Sequence, residues 1–315
     1  VTAVATILKA GADTSVQDAG RTAFRHLGTP QSGAVDRLSF ALANALVGNA
    51  WDAPALECAG VGPNLQFIKE AAFALAGADM SATVNEATIE AFCVHHAKPG
   101  DILKLGAAKT GLRAYIAIAG GVSGRNELGG VATYAPAGLG GIDGRALQEG
   151  DTIRCADGPV GSPVNIAPSD RPIIANDTVL RIVRGPEFHL IDAAAQKKFL
   201  SEALTVSRRG NRMGVELNGA PIRPPDHFTM LSSPVYPGTI QCPPSGDPFL
   251  LLADAQTVGG YARIGQVIDA DLHLAGQLRP GARIWFSAVS AENARATTAH
   301  KAAYYRDYLP KFRFG

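Results

Sequence analysis

Residues 250–272 read LLLADAQTVGGYARIGQVIDADL and gather groups suited to handling a small polar molecule. An apolar run ends in Asp254, followed by Gln256, Thr257, Gly259, Gly260 and Tyr261. A strand ending at Asp254 points its last side chain toward a cleft mouth, where desolvation makes a carboxylate a better proton acceptor. Gln256 and Thr257 offer hydrogen bonds to an amide-like group. Gly259 and Gly260 let a ligand or a partner backbone come close. Tyr261 supplies a flat apolar face with a polar tip. The stretch GNRMGVEL adds Asn211, to polarise a carbonyl, and Arg212, to grip a carboxylate with two prongs. The expected catalytic residues are therefore Asp254, Asn211 and Arg212.

Two more polar clusters are anchored by glycine: VQDAGR, with Asp18 and Arg21, and TPQSGAVD, with Ser32 and Asp36. Arg21, Ser32 and Asp36 join Gln256, Thr257, Gly259, Gly260 and Tyr261 as expected substrate-binding residues. Plainer readings stand beside these. Asp18 and Arg21 form a turn-closing pair, Ser32 and Asp36 serve a helix cap, Arg212 is a solvated charge, and Asp254 closes a turn by accepting backbone N–H groups.

The elements that must position these groups are mostly short strands. RAYIAIAGG, TVLRIVRGP, PFLLLAD and ARIWFSAV are apolar or alternating runs bounded by Gly, Pro or Asp. KPGDILKL, LQEGDTIR and LRPGARIW repeat one pattern, a turn ending in glycine that feeds an alternating strand. Leu38, Leu42 and Leu46 recur at helical spacing and predict a helix over 32–49, with Ser32 as cap. Further helices are predicted over 186–200 and 291–309. Residues 120–150 contain ten glycines, yet Leu128, Val131, Tyr134, Leu139 and Ile142 are interleaved, which predicts a folded loop rather than a disordered linker. The Pro-, Gly- and Ser-rich stretch 155–172 is the expected linker. It separates domains at 1–160 and 173–290, with a C-terminal helical tail at 291–315.

The 315 residues are 46% apolar and 18% charged, and Lys+Arg 29 nearly balances Asp+Glu 28. No basic face follows from that balance, so nucleic acid is not an expected partner. No apolar run reaches the roughly 18 residues of a membrane span, and no signal peptide is recognisable at the start. Cys58, Cys93, Cys155 and Cys242 make no C-x-x-C motif, so buried reduced thiols and a cytoplasmic location are expected. His95 and His96 are adjacent rather than four apart, so no metal site is expected. There is no G-x-x-x-x-G-K-[ST], no G-x-G-x-x-G between strand and helix, no H-E-x-x-H and no G-x-S-x-G. A Met-Lys-Met biotin acceptor is also missing, so the chain should not itself carry biotin.

The combination resembles the KipA-like family, also called allophanate hydrolase subunit 2 or biotin-dependent carboxyltransferase subdomain A/B. That family includes the stand-alone C subunit of bacterial ATP-dependent 5-oxoprolinase. TSVQDAGRTAFRHLGTPQSGAVDRLSFALANALVGN, LRAYIAIAGGVSG, GRALQEGD, RMGVEL, PGTIQCPPSGDPFLLLADAQTVGGY and QLRPGARIWF follow the family's order nearly end to end. Two features depart from the stand-alone subunits. Asn211-Arg212 matches the urea carboxylase form, while Ala255 and Val258 replace residues that are often larger or polar.

The resemblance implies a mostly β (α+β) protein with cyclophilin-like β-barrel units and a few flanking helices. The first domain would be a carboxyltransferase-like subdomain and the second a cyclophilin-like barrel. It implies two partners, a KipI-like B subunit and a LamB/YcsF-like A subunit. Together they would cleave 5-oxo-L-proline to L-glutamate with hydrolysis of ATP, this chain being inactive alone. No covalently bound cofactor is implied, ATP is used by the assembled complex, and biotin has a place only on a partner chain. Both 5-oxoproline and the ureido ring of biotin suit the groups around Asp254. Two alternatives stay open: a carboxyltransferase component of a urea/allophanate-type carboxylase, and a non-catalytic KipA-like regulatory protein. Tyr134, Leu139, Tyr304 and Tyr305 are apolar surfaces that a partner would cover.

Overall fold

The computed structural model describes residues 1–158, 161–219, 221–225 and 228–314. Strands dominate, and they divide between two compact units. The first unit comprises Val1–Arg21, Ser32–Ile174 and Tyr305–Phe312, and the second Thr22–Gln31, Ala175–Tyr304 and Arg313–Gly315.

The first unit is built in three layers. A five-stranded antiparallel sheet runs in the order Asp13–Gln17, Ala55–Ala59, Thr110–Ile118, Ala71–Asp79, Val94–Ala97. A six-stranded sheet runs Thr152–Cys155, Thr2–Lys9, Asn64–Phe67, Ile102–Lys104, Thr83–Val84, Ala87–Thr88. Ile7, Leu65, Phe67 and Leu103 of the six-stranded sheet share one core with Leu56, Phe73, Leu75 and Ile116 of the other. The helix Arg37–Leu46 covers the outer face of the five-stranded sheet, against Thr110–Ile118 and Ala71–Asp79. Those two central strands are covered on both faces. This is why RAYIAIAGG reads as a continuous apolar run instead of an alternating one.

The predicted helix over 32–49 starts later, at Arg37. Asp36 is its cap: Oδ1 accepts the Ser39 N–H at 2.9 Å and Oδ2 accepts the Ser39 hydroxyl at 2.6 Å. Ser32 lies outside the helix with φ of 56° and does not cap it. Residues 161–172, expected as linker, belong to the first unit. The Gly161 N–H donates to Gly48 O at 2.8 Å, the Val164 N–H donates to Ala45 O at 3.2 Å, and Ile166 is buried. Pro159 and Val160 of that stretch lie outside the described residues.

The second unit is a closed seven-stranded barrel. Its order is Thr178–Arg184, Ala262–Val267, Thr239–Cys242, Phe249–Leu251, Gly214–Asn218, Leu204–Gly210, Arg283–Ala288. Every neighbouring pair is antiparallel except the closing one, where Leu180 stands opposite Phe286 in parallel register. Closure pairs each of these strands on both sides. Alternate residues Leu180, Ile182, Ile284 and Phe286 are buried, as the sequence pattern requires.

The helix predicted over 186–200 is split. A 3₁₀ turn at Phe188–Leu190 precedes Ala193–Ser201, because Asp192 caps the latter by accepting the Ala195 N–H at 2.9 Å. The third predicted helix runs Ala291–Tyr304 against Thr178–Arg184 and the 3₁₀ turn Asp269–Asp271, within the second unit rather than as a separate tail. Gly100, Gly150 and Gly281, which end the three recurrent turns, all have φ between 85° and 95°. That backbone is cheap only for glycine and explains why each strand entry uses one.

His273 is buried in the second unit beside Lys301, whose Nζ lies 3.0 Å from Nε2 and 2.9 Å from Ala270 O. Lysine can only donate, so the imidazole nitrogen accepts. Burial first, then the charges of Lys301 and Arg181, push the His273 pKa well below its usual value. An unfolded chain therefore takes up a proton below pH ~6.5 that the folded chain refuses. The expected result is a loss of about 1.4 kcal/mol of stability per pH unit below that point. Thermal melts at pH 7 and pH 5 check this, and His273→Gln should show a flatter pH dependence. An unchanged slope in the variant would remove His273 as its source.

Candidate functional site

The hairpin between Leu204–Gly210 and Gly214–Asn218 carries Asn211 and Arg212 at its turn. The Asn211 N–H donates to Gly214 O at 3.1 Å, and its Oδ1 accepts the Met213 N–H at 2.7 Å. This side-chain turn occupies the amide oxygen. Asn211 is exposed, and its NH₂ group makes no hydrogen bond among the described residues, which suits polarising a carbonyl.

Gly214 pairs with Leu251, and bonding continues past the strand ends: the Leu252 N–H donates to Met213 O and the Asp254 N–H to Arg212 O, both at 2.9 Å. That register brings Arg212 opposite Asp254. Arg212 Nε donates to Oδ2 at 2.9 Å and Nη2 donates to Oδ1 at 3.1 Å. The two-pronged grip expected of Arg212 is therefore made, but on Asp254 of the same chain. Both side chains are nearly enclosed, at 12% and 6% exposure. This corrects two expectations: Arg212 is not a solvated charge, and Asp254 does not present an unengaged carboxylate as a base. A buried guanidinium needs an anion, and the register supplies one.

The next residues are held by a partner that sequence reasoning missed. Gln256 Nε2 donates to Gln241 Oε1 at 3.1 Å. Gln241 is buried on the barrel strand Thr239–Cys242, and its Nε2 has no hydrogen-bond partner among the described residues. Gly259 packs tightly here: a Cβ on it would fall 2.4 Å from Gln241 Nε2, so the Gln241 amide would have to move. Val258–Gly259 pairs with Ser233–Pro234, and Thr257 contributes its carbonyl, accepting the Val235 N–H at 3.1 Å. Gly260 and Tyr261 are exposed. Arg25, also missed, donates from Nη2 to Val235 O at 2.5 Å and lies over the Tyr236 ring at 5.0 Å. Burial pulls the Arg25 pKa below its usual value, with Tyr236 opposing. The signal for Gln241 is an amide between Ile240 and Cys242 in a short strand.

Arg21, Ser32 and Asp36 belong to the first unit. Arg21 is fully buried. Its Nε donates to Glu127 O at 2.8 Å, and its Nη2 donates to Gly130 O at 3.3 Å and Ala132 O at 2.5 Å. Asp18 Oδ2 accepts the Val131 N–H at 2.5 Å, and Glu127 accepts the Gly140 N–H at 2.6 Å. Arg21 thus organises the glycine-rich loop, which is folded as predicted, instead of facing a ligand. Asp36 is likewise committed, to the helix cap and, through its N–H, to the Tyr115 hydroxyl at 2.7 Å. Tyr115 donates to Glu57 Oε2 at 2.8 Å, which also accepts the Val35 N–H at 2.9 Å, while Arg113 lies 3.4 Å from Glu57 Oε1. Burial and the charges of Glu57 and Asp36 hold the Tyr115 pKa well above its ordinary value. Ser32 is buried with no partner for its hydroxyl among the described residues. Of the tyrosines expected to need a partner's cover, Tyr305 is covered within the first unit, where its hydroxyl donates to Asp170 O at 3.1 Å, whereas Tyr304 remains half exposed.

Among the described residues, no group of three or more His, Cys, Asp or Glu could hold a metal ion, and no helix is long and apolar enough to cross a membrane. Cys58, Cys93, Cys155 and Cys242 are free thiols.

The family model described as carboxyltransferase domain, subdomain A and B, matches residues 27–288. The chain belongs to this family. Two curated relatives are similar over nearly their whole length. The 5-oxoprolinase C subunit of Haemophilus influenzae is 34% identical over 304 residues, covering 96% of each chain. That of Escherichia coli is 34% identical over 301 residues, covering 95% of this chain and 96% of its own. Among solved structures, the K. lactis urea amidolyase superposes with a TM-score of 0.92 at 30% identity, over 97% of this chain. The chain spans only 20% of that much longer protein. The carboxyltransferase family thus carries both the barrel and the layered unit described above.

Proposed function

We propose that this chain is the C subunit of an ATP-dependent 5-oxoprolinase, which cleaves 5-oxo-L-proline to L-glutamate together with a KipI-like B subunit and a LamB/YcsF-like A subunit. The observation that carries this reading is the end-to-end similarity to two relatives bearing that name. Lactam opening breaks the ring C–N bond, and water supplies OH to the carbon and a proton to the nitrogen. The barrel-end loops offer groups suited to it. Asn211 donates from its amide NH₂ to the lactam oxygen, where negative charge develops. The Arg212–Asp254 pair orients this turn, with Asp254 as an orienting carboxylate. Gln256, Thr257, Gly259, Gly260 and Tyr261 contact the substrate. The chain holds no covalent cofactor, ATP is consumed by the assembled complex, and the reaction is cytoplasmic.

A second reading is favoured by the urea amidolyase superposition and by Asn211-Arg212: a carboxyltransferase component acting with a biotinylated partner chain. One experiment separates the two. The chain is purified alone and with its co-expressed neighbours, and glutamate formed from 5-oxoproline and ATP is measured with and without avidin. The expected outcome is no turnover alone, robust turnover in the complex, and no effect of avidin. Turnover by the isolated chain overturns the obligatory partnership, and avidin-sensitive activity favours the carboxyltransferase.

A further inference from the structure

A cavity of about 470 Å³ in the first unit is lined by Arg171, Glu90 and Phe92, with Leu75, Met80 and Leu105 as an apolar floor. Its size falls in the range of small-ligand pockets, roughly 300–1,000 Å³. Three charged side chains line it, Asp79, Glu90 and Arg171, and neither Arg171 nor Glu90 meets an opposite charge in an ion pair among the described residues. Arg171 Nη2 reaches only the Cys93 sulfur, at 3.7 Å, and its Nε is buried without an acceptor among the described residues. Glu90 Oε2 reaches the same sulfur, at 3.8 Å. The sum of those distances, 7.5 Å, is an upper bound on the separation of the two charges. A guanidinium held this way would gain from a carboxylate.

Phe92 gives the cation a ring to lie over. Its backbone has φ of 61°, a costly value for a bulky residue, and its N–H donates to Leu75 O at 2.6 Å. Its ring lies under the Arg171 guanidinium, with the ring centroid 5.9 Å from Cζ. Asp79 also lines the cavity, but its Oδ1 already accepts the Ser81 N–H at 2.8 Å.

From this juxtaposition we infer that the cavity binds a free α-amino acid with an apolar side chain. The ligand carboxylate lies on Arg171, its ammonium on Glu90, and its side chain on the floor of Leu75, Met80 and Leu105. With two charge-assisted bonds of about 2.8 Å, a gap this short favours a ligand whose own charges sit close together, as they do on one carbon. A simple anion would leave Glu90 facing it, and a simple cation would meet Arg171.

Calorimetric titration of the full chain with L-leucine tests this, with 4-methylpentanoate and 3-methylbutylamine as single-charge probes. Leucine should bind, and each probe should bind at least tenfold more weakly. Arg171→Gln and Glu90→Gln should each weaken leucine at least tenfold. Glu90 is exposed, so its variant tests the proposal even if Arg171→Gln fails to fold. No heat with millimolar leucine, equal binding of either probe, or unchanged affinity in Glu90→Gln would each overturn it. The readout is binding, so it stands apart from turnover of 5-oxoproline.

Discussion

Asp254→Asn is expected to lower the stability of the chain by about 3–5 kcal/mol, the scale for breaking one side of a buried ion pair. The substitution is isosteric, so packing around the strand end changes little. What changes is charge: Arg212 keeps its guanidinium in a nearly closed position and loses the carboxylate that both of its prongs hold. Removing both charges should cost less than the single change, because the buried cation that has lost its carboxylate is then gone. Urea denaturation of Asp254→Asn, Arg212→Gln and the double variant measures this coupling. If the double variant loses the full sum of the two single losses, the pair is not a unit. A second readout concerns the site. In the assembled enzyme, glutamate formation per folded Asp254→Asn molecule should fall by roughly 10²-fold, because the turn presenting Asn211 loses its anchor. A destabilised variant with a full per-molecule rate would leave the pair a purely structural brace.

Glu57→Leu should be about as severe, again about 3–5 kcal/mol. Glu57 accepts from the Val35 N–H and the Tyr115 hydroxyl and faces Arg113, all within the buried part of the first unit. Its loss takes a carboxylate from beside a buried guanidinium and the acceptor from a buried backbone donor together. Tyr115→Phe keeps the charges and deletes only the hydroxyl that links Asp36 N–H to Glu57, so about 1–3 kcal/mol is expected. The order of the two losses is the test. Glu57→Leu/Arg113→Met should recover part of the Glu57→Leu loss. Equal stability of Glu57→Leu and Tyr115→Phe would show that the charge is not what matters there.

The strands expected within RAYIAIAGG, TVLRIVRGP, PFLLLAD and ARIWFSAV are present as Thr110–Ile118, Thr178–Arg184, Phe249–Leu251 and Arg283–Ala288. Their signals are local, since apolar runs, glycine turns and Asp caps act over a few residues and can be read from spacing. The motif order likewise sufficed for the family. Helix starts were less legible. Ser32 and Asp36 are both good caps by type, and only the backbone, left-handed at Ser32, decides between them.

The composition of the site was legible, but its pairing was not. Asn211, Arg212, Asp254, Gln256 and Gly259 all lie on the barrel-end loops of one unit, as their polar, glycine-anchored character suggested. Whether an arginine so placed would meet a ligand or its own chain could not be read from its neighbours in sequence. Arg212 and Asp254 are 42 residues apart, Arg21 and Ala132 are 111 apart, and Gln241 and Gln256 are 15 apart on different elements. Partners at such separations are chosen by strand register and loop closure, which depend on the whole packed unit rather than on any local pattern. Residue types and their spacing were enough to say which polar groups the chain carries and which class of fold holds them. Which of those groups grip each other was settled only in the folded chain, because a buried charge or amide takes whatever partner packing brings within about 3 Å.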